Sequence, residues 1–156
     1  MISSAVYDCP VGRLGVAADG DVVCAIDWVS ADRSVGPLTP VLRAALDQLD
    51  AFFAGRLTRF DLPLAPAPTA FARNLRAAMT AIPFAATASY GELARALAST
   101  ARAIGAGCGA NPLPIVVPCH RVVGAGGRLG GYSGGGGAVT KRALLAHEQA
   151  QAALLS

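Results

Sequence analysis

Apolar and polar residues alternate over short stretches at the start of the chain and predict β-strands over residues 2–7, 14–18 and 22–28. The Asp19-Gly20 pair between two of these stretches is typical of a β-hairpin turn. A helical spacing follows, in which Thr39-Pro40 suits the start of a helix and Gly55 suits its end. The side chains expected on the apolar face of this helix are Leu42, Leu46, Leu49 and Phe53. We therefore expect a small sheet with one helix and no cluster of reactive side chains.

Three prolines in six positions, Pro63, Pro66 and Pro68, mark a boundary in the chain. Such a segment favours an extended and stiff backbone. We therefore expect an N-terminal domain over residues 1–66 and a C-terminal domain over residues 67–156.

Helical patterns dominate the second domain. A first helix is expected from Phe71 onward, because its apolar residues recur at helical spacing. Ser89 and Glu92 have the spacing of a capping box, and Thr100 suits the start of a further helix that reaches Cys108. Two short helices joined by a tight turn in a basic half suggest a helix-turn-helix, although many helix pairs bind nothing.

The apolar run Ile115-Val116-Val117 predicts a short strand that leads into Pro118-Cys119-His120. Nine of the fourteen residues from 124 to 137 are glycine, which predicts a loop, and a last helix is expected from about Val139. The expected fold class is α/β, more narrowly α+β. A sheet-plus-helix domain precedes a mainly helical domain that carries the helix-turn-helix.

The composition is that of a folded protein, with 53% apolar and 15% charged residues in a chain of 156. The chain has neither an apolar run long enough for a membrane helix nor the pattern of a signal peptide at its start. We therefore expect a cytoplasmic protein without a membrane partner. Residues 1–66 carry five arginines against eight aspartates, whereas residues 67–156 carry eight lysines and arginines against two glutamates. A polyanionic partner is expected to meet the second domain.

Cys119 is the strongest candidate nucleophile. A thiol attacks as its thiolate and needs a base or positive surroundings, and the following His120 and Arg121 both suit that task. Neighbours in an extended segment point to opposite faces, so His120 reaches the sulfur only through a local turn or a bridging water. The alternatives are a buried cysteine without chemistry and a zinc site of Cys108, Cys119 and His120, which lacks a second group of ligands.

Glu148 is the candidate third member of this site. It follows Leu144 by four residues and Leu145 by three, which places it on the apolar side of the last helix. An inward carboxylate costs free energy unless it is paired, and a histidine is a natural partner because the carboxylate fixes its tautomer. The alternative is a glutamate at the edge of the apolar face.

Residues 115–123, Ile-Val-Val-Pro-Cys-His-Arg-Val-Val, resemble the active-site signature of the O6-alkylguanine-DNA alkyltransferases, also called methylated-DNA–protein-cysteine methyltransferases. Further motifs carry the resemblance over most of residues 70–148: Ser89-Tyr90-Gly91-Glu92-Leu93-Ala94, Arg102-Ala103-Ile104-Gly105, Asn111-Pro112, Gly131-Tyr132-Ser133-Gly134-Gly135 and Leu144-Leu145-Ala146-His147-Glu148.

The resemblance implies an RNase H-like N-terminal domain and DNA repair by direct reversal. The alkyl group of O6-alkylguanine in double-stranded DNA, and that of O4-alkylthymine, would move irreversibly onto Cys119 after the base has flipped out of the duplex. Each molecule would act once, as a monomer without an obligate protein partner, a cofactor or a metal.

The resemblance also implies roles for individual residues. The catalytic set would be Cys119, His120, Glu148, Asn111 and Tyr90. The pocket would be lined by Tyr90, Val122, Tyr132 and Ser133. Contacts with DNA would come from Arg102, Ala103, Gly105, Tyr90 and Arg95. Within these sets, His120 would act through a water, Tyr90 would help to rotate the base out and then protonate the guanine ring, and Arg102 would fill the gap in the duplex.

Three segments depart from the family pattern. The stretch from Tyr90 to Arg102 is about two residues shorter, the stretch from Tyr132 to Glu148 is about two residues longer, and Pro83-Phe84-Ala85 replaces a proline–x–glycine turn. Two other functions stay open at this point. One is a thiol hydrolase with a Cys-His-Glu triad, and the other is a non-catalytic module that binds alkylated DNA.

Overall fold

The computed structural model describes residues 1–132 and 134–155 and divides the chain into two compact units, Met1–Ala65 and Pro66–Ser156. Unit 1 contains three strands and one helix: β1 (Ile2–Cys9), β2 (Gly12–Asp19), β3 (Val22–Trp28) and α1 (Pro40–Phe53). Unit 2 contains α2 (Ala70–Thr80), β4 (Ala88–Ser89), α3 (Tyr90–Ala96), α4 (Ala101–Gly109), β5 (Val122–Val123) and α5 (Ala138–Leu155). The predicted α+β class, with a sheet domain before a helical domain, is confirmed.

The strands of unit 1 form an antiparallel sheet in the order β1-β2-β3. Gly20 turns the chain between β2 and β3 with a φ of +59°, a conformation that glycine adopts without steric cost. The predicted hairpin turn at Asp19-Gly20 is present, and the first two strands run longer than predicted because the ladder continues to the turn residues. One face of the sheet forms the core of the unit together with α1.

Helix α1 begins as predicted, since the Leu42 N–H donates to Oγ1 of the N-cap Thr39 at 3.3 Å and Pro40 takes the first helical position. The predicted buried face was partly wrong. The residues of α1 that are buried are Leu42, Ala45, Leu49 and Phe52. The small side chain at Ala45 lies at the contact with the sheet. Leu46 and Phe53, seven residues apart, therefore fall together on one edge of the apolar stripe, where Phe53 stacks on Tyr7.

The proline-rich segment begins as an extra edge of the sheet in unit 1. The Val23 N–H donates to the Pro63 carbonyl, and the Ala65 N–H donates to the Val23 carbonyl, both at 2.8 Å. Prolines suit such an edge because the edge does not need their missing N–H groups.

Unit 2 contains the predicted helix-turn-helix, formed by α3 and α4. Both hydrogen bonds of the capping box between Ser89 and Glu92 are present, and Thr100 caps α4 by accepting from the Ala103 N–H at 3.1 Å. The turn between the helices is tight because Ala98 adopts a φ of +51°. Its neighbour Ser99 donates back to the Ala94 carbonyl at 2.8 Å, as in a Schellman helix end.

Helix α4 packs closely against α2. A Cβ on Gly107 would overlap the Leu75 side chain, so glycine permits the close approach of the two helices. The Cys108 thiol contacts the Met79 sulfur at 3.8 Å on the same side of α4. This packing leaves the side of α4 that carries Arg102 and Gly105 available to the cavity described below, and Cys108 lies between the two sides.

The predicted strand over residues 115–117 was wrong. Ile115 has a φ of +75°, and the Val117 N–H bonds the Leu113 carbonyl at 2.9 Å, which closes a buried turn. Prolines at 112, 114 and 118 remove three N–H donors that a strand would need, so the apolar run folds back on itself. After it come a 3₁₀ turn at Cys119–Arg121 and then β5, which pairs in parallel with β4.

Within residues 1–132 and 134–155, no helix combines the length and the apolar character needed to cross a membrane.

A short turn before β4 is held by the last helix. Ala85 has a φ of +65°, and its N–H donates to Oε1 of Glu148 at 3.0 Å while its carbonyl accepts from Nε2 of Gln149 at 2.6 Å. Two neighbouring residues of α5 thus fix both polar groups of one strained residue.

We expect Ala85→Gly to raise the free energy of unfolding of unit 2 by about 1 kcal/mol, because the left-handed conformation costs alanine roughly 1–2 kcal/mol. Urea unfolding followed by circular dichroism measures this, since four of the five described α-helices lie in unit 2. Trp28, the single tryptophan, reports on unit 1 by fluorescence. Ala86→Gly is the control and should lower stability by roughly 0.5 kcal/mol, because Ala86 has no positive φ. Equal losses in both variants would contradict the expectation.

Candidate active site

Cys119 lies at the first position of the 3₁₀ turn and lines a cavity of about 630 Å³ in unit 2. Its side chain is nearly buried, with 5% of its surface exposed. Helix α4 forms one wall of the cavity, and the start of α3 and the glycine-rich loop complete it. Residues that line it include Tyr90, Arg102, Gly105, Cys108 and Tyr132.

The Cys119 thiol is surrounded by donors that oppose the effect of its burial. Burial raises the pKa of Cys119, while hydrogen bonds from Asn111 and Tyr132 and the charge of Lys141 lower it. Asn111 also donates to the Val117 carbonyl at 3.0 Å and accepts from the Leu113 N–H at 3.0 Å. It therefore braces the buried turn and the sulfur together. The net direction is upward, so the cysteine rests as a thiol that needs a base.

His120 is fully buried next to Glu148, with 2.6 Å between its Nε2 and Oε2 of the carboxylate. Burial, together with the charges of Arg121 and Lys141, lowers the pKa of His120 further than Glu148 raises it, so the imidazole is neutral at pH 7. Because the carboxylate can only accept, Nε2 must carry the hydrogen, and Nδ1 then holds the free lone pair. Nδ1 has no hydrogen-bond partner within the described part of the chain, which leaves it available as a base.

Glu148 binds three groups at once. Burial raises its pKa, but the hydrogen bonds and charges of His120 and Arg121 outweigh burial and lower the pKa to about 2. Arg121 donates through Nε at 2.9 Å and Nη2 at 3.0 Å, and the Ala85 N–H donates to the same carboxylate. A buried carboxylate with this set of donors stays ionised across the physiological range.

Arg121 has a different place from the one expected from the sequence. It was predicted as a positive neighbour of the thiol, but its guanidinium lies on Glu148, on the Ile82 carbonyl at 2.8 Å and over the Phe84 ring at 5.8 Å. The reason is the 3₁₀ turn, which directs His120 and Arg121 toward the same carboxylate. The sequence held one indication of this contact. A buried glutamate costs more free energy than a neutral histidine alone can offset, so a nearby cation was to be expected as a second partner.

Lys141 is a site residue that sequence reasoning missed. It is fully buried on α5, and its Nζ donates to Oη of Tyr90 and to the Gly131 carbonyl, both at 3.2 Å. Lys141 precedes Glu148 by seven residues, two helical turns, so the spacing placed both side chains on one face.

The remaining predicted residues are distributed around the cavity. Arg102 and Gly105 line it from α4, while Ala103 on the same helix and the exposed Arg95 at the end of α3 lie outside the lining set. Val122 is fully buried in β5 and is not brought to the cavity wall. Ser133 lies outside the described residues.

The zinc alternative does not assemble in the described part of the chain, where no group of three or more histidine, cysteine or acidic side chains is arranged to hold a metal ion. Cys108 faces Met79, and the Nε2 of His120 is bonded to Glu148.

Fold and site together define a protein in which a helix-turn-helix carries one wall of a cavity with a nucleophilic cysteine at its base. Two family models match the chain. The DNA binding domain of 6-O-methylguanine DNA methyltransferase matches residues 70–150, and the ribonuclease-like domain of the same proteins matches residues 2–66.

Relatives and solved structures agree with these models. The methylated-DNA–protein-cysteine methyltransferase of Mycobacterium bovis is 42% identical over 159 residues, which cover 97% of this chain and 95% of that protein. The structure of Mycobacterium tuberculosis O6-methylguanine methyltransferase has a TM-score of 0.82 at 37% identity, with both chains covered completely. The structure of Mycobacterium tuberculosis OGT in complex with DNA has a TM-score of 0.82 at 40% identity, with coverage of 95% and 93%.

The chain belongs to the 6-O-methylguanine DNA methyltransferase family, and the predicted resemblance is confirmed.

We expect Glu148→Gln to lower the free energy of unfolding of unit 2 at pH 7 by about 3–5 kcal/mol, because it leaves Arg121 buried without its partner. The wild-type protein should lose stability below pH 6.5, because His120 then takes up a proton in the unfolded state but stays neutral in the folded state. It should lose stability again between about pH 4.5 and about pH 2, because Glu148 takes up a proton in the unfolded state first. The second loss should disappear in the variant. Urea unfolding followed by circular dichroism from pH 3 to pH 8 measures both effects.

Glu92→Gln is the matched control, because Glu92 is exposed and glutamine preserves the capping box. It should cost less than about 0.5 kcal/mol and leave the pH profile unchanged. An unchanged acid limb in Glu148→Gln would contradict the ionised state assigned to Glu148.

Proposed function

We propose that this protein repairs alkylated DNA by direct reversal, with Cys119 as the acceptor of the alkyl group from O6-alkylguanine. The observation that carries the proposal is the position of the thiol. It lies in a cavity walled by a helix of a helix-turn-helix and is backed by a buried histidine–glutamate pair. DNA is the partner expected of a member of this family, and the basic half of the chain suits a polyanion.

The reaction needs a proton to leave the thiol before attack. His120, neutral and with a free lone pair on Nδ1, accepts that proton directly or through one water, and Glu148 stabilises the imidazolium that forms. The thiolate then attacks the alkyl carbon, the carbon–oxygen bond of the adduct breaks, and guanine leaves with the bonding electrons.

Tyr90 is placed to serve the leaving base. Its hydroxyl borders the cavity and accepts a hydrogen bond from Lys141, so its own hydrogen is free to point toward a guanine ring nitrogen. Protonation of the ring as it departs makes guanine a better leaving group. The thioether on Cys119 has no easy route back, so each molecule acts once.

Base flipping brings the adduct into the cavity. Arg102 is exposed at the second position of α4 and lines the mouth of the cavity, where a side chain can fill the space left in the duplex. Flipping costs a few kcal/mol of unstacking, which this insertion and the contacts of the base offset. Gly105, Ala103 and Arg95 complete the proposed DNA surface.

The base would be read by Tyr132, which lines the cavity. O4-alkylthymine is a second proposed substrate, because it presents the same alkyl–oxygen bond. The monomeric state and the cytoplasmic location stay predictions.

We expect one methyl group to be added per molecule when the protein is mixed with a duplex that contains O6-methylguanine. Intact-protein mass spectrometry measures the added mass, and fragmentation locates it at Cys119. Cys119→Ser should acquire none, because a serine hydroxyl at this position lacks the acidity and softness of a thiol.

Cys108→Ser is the matched control, since it removes the other thiol of the same cavity and should still be methylated. Transfer that survives Cys119→Ser would refute the acceptor. Repeated turnover without a lasting mass increase would indicate a thiol hydrolase, and tight binding of alkylated DNA without transfer would indicate a binding module.

We expect Arg102→Ala to slow repair of duplex DNA by at least tenfold, about 1.4 kcal/mol. The reason is that no side chain then fills the space that the flipped base leaves in the duplex. Transfer from a free O6-alkylguanine base should change less than about threefold, since no flipping is needed. Single-turnover rates on the two substrates measure the difference. Arg73→Ala on α2 controls for the loss of one positive charge, and an equal loss on both substrates would count against the assigned role of Arg102.

A further inference from the structure

Cys108 is a second thiol in the cavity, and the proposed alkyl transfer does not use it. It lies on α4 with 9% of its surface exposed and lines the same cavity as Cys119, which is 5% exposed. The other two cysteines of the chain, Cys9 and Cys24, belong to unit 1. The cavity thus brings together two thiols that come from different segments, α4 and the 3₁₀ turn.

The two thiols lie around one polar contact, in which Nζ of Lys141 donates to Oη of Tyr90 at 3.2 Å. Burial raises the pKa of Tyr90, and negative charge on Cys108 or on Cys119 raises it further. Burial lowers the pKa of Lys141, whereas the charges of the same two groups raise it. Because such effects weaken with distance, both sulfurs lie close to this hydroxyl and this ammonium, and hence close to each other.

Cys108 is held as a neutral thiol. Burial raises its pKa to about 12, and the charge of Cys119 acts in the same direction. Its S–H contacts the Met79 sulfur at 3.8 Å, which leaves the lone pairs of the Cys108 sulfur available to the cavity. A cation formed beside it would lower the pKa of Cys108, because a nearby opposite charge favours the thiolate. Cys108 is therefore inert towards a simple alkyl group and becomes a nucleophile when a cation forms next to it.

A haloethyl group produces such a cation. Its transfer from O6-haloethylguanine to Cys119 leaves a thioether with a halogen on the second carbon, and the thioether sulfur displaces the halide to form a three-membered sulfonium ring. The sulfur of Cys108 attacks a ring carbon, and the electrons of the broken carbon–sulfur bond return to Cys119. The proton of Cys108 passes to water. Overall, an ethylene bridge replaces two thiol hydrogens, and guanine and hydrogen halide are released.

We propose that Cys108 is a second acceptor, which captures a haloethyl group already transferred to Cys119 and closes an ethylene bridge between the two sulfurs. The proposal rests on the proposed function of Cys119 and extends it to bifunctional alkyl lesions. A neighbouring group in the right geometry acts at an effective concentration on the order of 10⁵ M or more, far above that of water. The bridge therefore forms before water or a DNA base reaches the sulfonium, and the protein leaves the duplex without a covalent link.

The positions of the arginines make the product easy to identify. Trypsin cleaves after Arg102 and Arg121, so residues 103–121 form one peptide that contains both cysteines. Mass spectrometry of this peptide distinguishes two products. In one, an ethylene bridge leaves neither thiol to react with iodoacetamide. In the other, Cys119 carries a hydroxyethyl group and Cys108 is still free.

The test compares two reagents on the full chain. A duplex with freshly prepared O6-chloroethylguanine tests the activity on DNA, and ethylene dibromide, which needs no DNA, tests whether one ethylene group joins both thiols. Cys108→Ala removes the second acceptor, and Cys108→Ser replaces it with a weaker nucleophile of similar size. Cys24→Ser is the matched control, because it removes a half-buried thiol of unit 1.

We expect the bridged peptide to exceed the hydroxyethyl product by at least about tenfold in the wild-type protein and in Cys24→Ser, with both reagents. Cys108→Ala should instead carry a hydroxyethyl group on Cys119 or stay linked to the DNA, because the sulfonium then reacts with water or with a base. Denaturing gel electrophoresis measures the linked fraction, which should be higher in Cys108→Ala than in the wild-type protein. If Cys108→Ala does not fold, Cys108→Ser gives the comparison.

A wild-type peptide with a hydroxyethyl group on Cys119 and a free Cys108 would overturn the proposal, and so would equal linked fractions in the wild-type protein and the Cys108 variants. A bridge from ethylene dibromide without one from the duplex would overturn the activity on DNA. Failure of the proposed function shows separately. The wild-type protein would then take no methyl group from O6-methylguanine, while ethylene dibromide still reports on the pair of thiols.

Discussion

A carboxylate without exposed surface needs several donors at once, and unit 2 supplies them to Glu148 from two segments of the chain. Arg121 and His120 come from the 3₁₀ turn, and the Ala85 N–H comes from the strained turn before β4. Losing any one of them would leave a buried polar group without compensation, which costs far more than an exposed contact. The cysteine turn, the turn at residue 85 and α5 are therefore held together by a single ionised group.

The same group prepares the chemistry. Because Glu148 accepts from Nε2 of His120, the free lone pair of the imidazole must lie on Nδ1, and the histidine is a base before any substrate arrives. Arg121 balances the charge of the carboxylate, so His120 can remain neutral in the resting state. In the resting state Glu148 and Arg121 are buried ions, while His120 and the Cys119 thiol are both neutral. A new pair of charges forms only when His120 takes the proton of the thiol in the proposed reaction.

The second cation of the site, Lys141, donates to Tyr90 and to the Gly131 carbonyl. Lys141 and Glu148 project from one face of α5, two helical turns apart. Lys141 binds Tyr90, whereas Glu148 binds His120 and Arg121. The last helix consequently serves as the rigid element on which the cavity is built. Helix α4 adds the wall that faces DNA in the proposed function, and its small residues keep that wall close to the ring of Tyr90.

Local patterns in the sequence determined the strands of unit 1, the caps at Thr39, Ser89 and Thr100, and the helix-turn-helix, because each depends on neighbours within one turn. The Pro-Cys-His motif and the inward position of Glu148 were likewise readable from spacing. Only the tertiary structure decided that residues 115–117 turn back instead of forming a strand, that Arg121 lies on Glu148 and that Lys141 bridges Tyr90 and the loop. Arg121 and Glu148 are 27 positions apart, and Lys141 and Tyr90 are 51 apart. A buried charge takes its partner from whichever segment packing brings near, which no local pattern encodes.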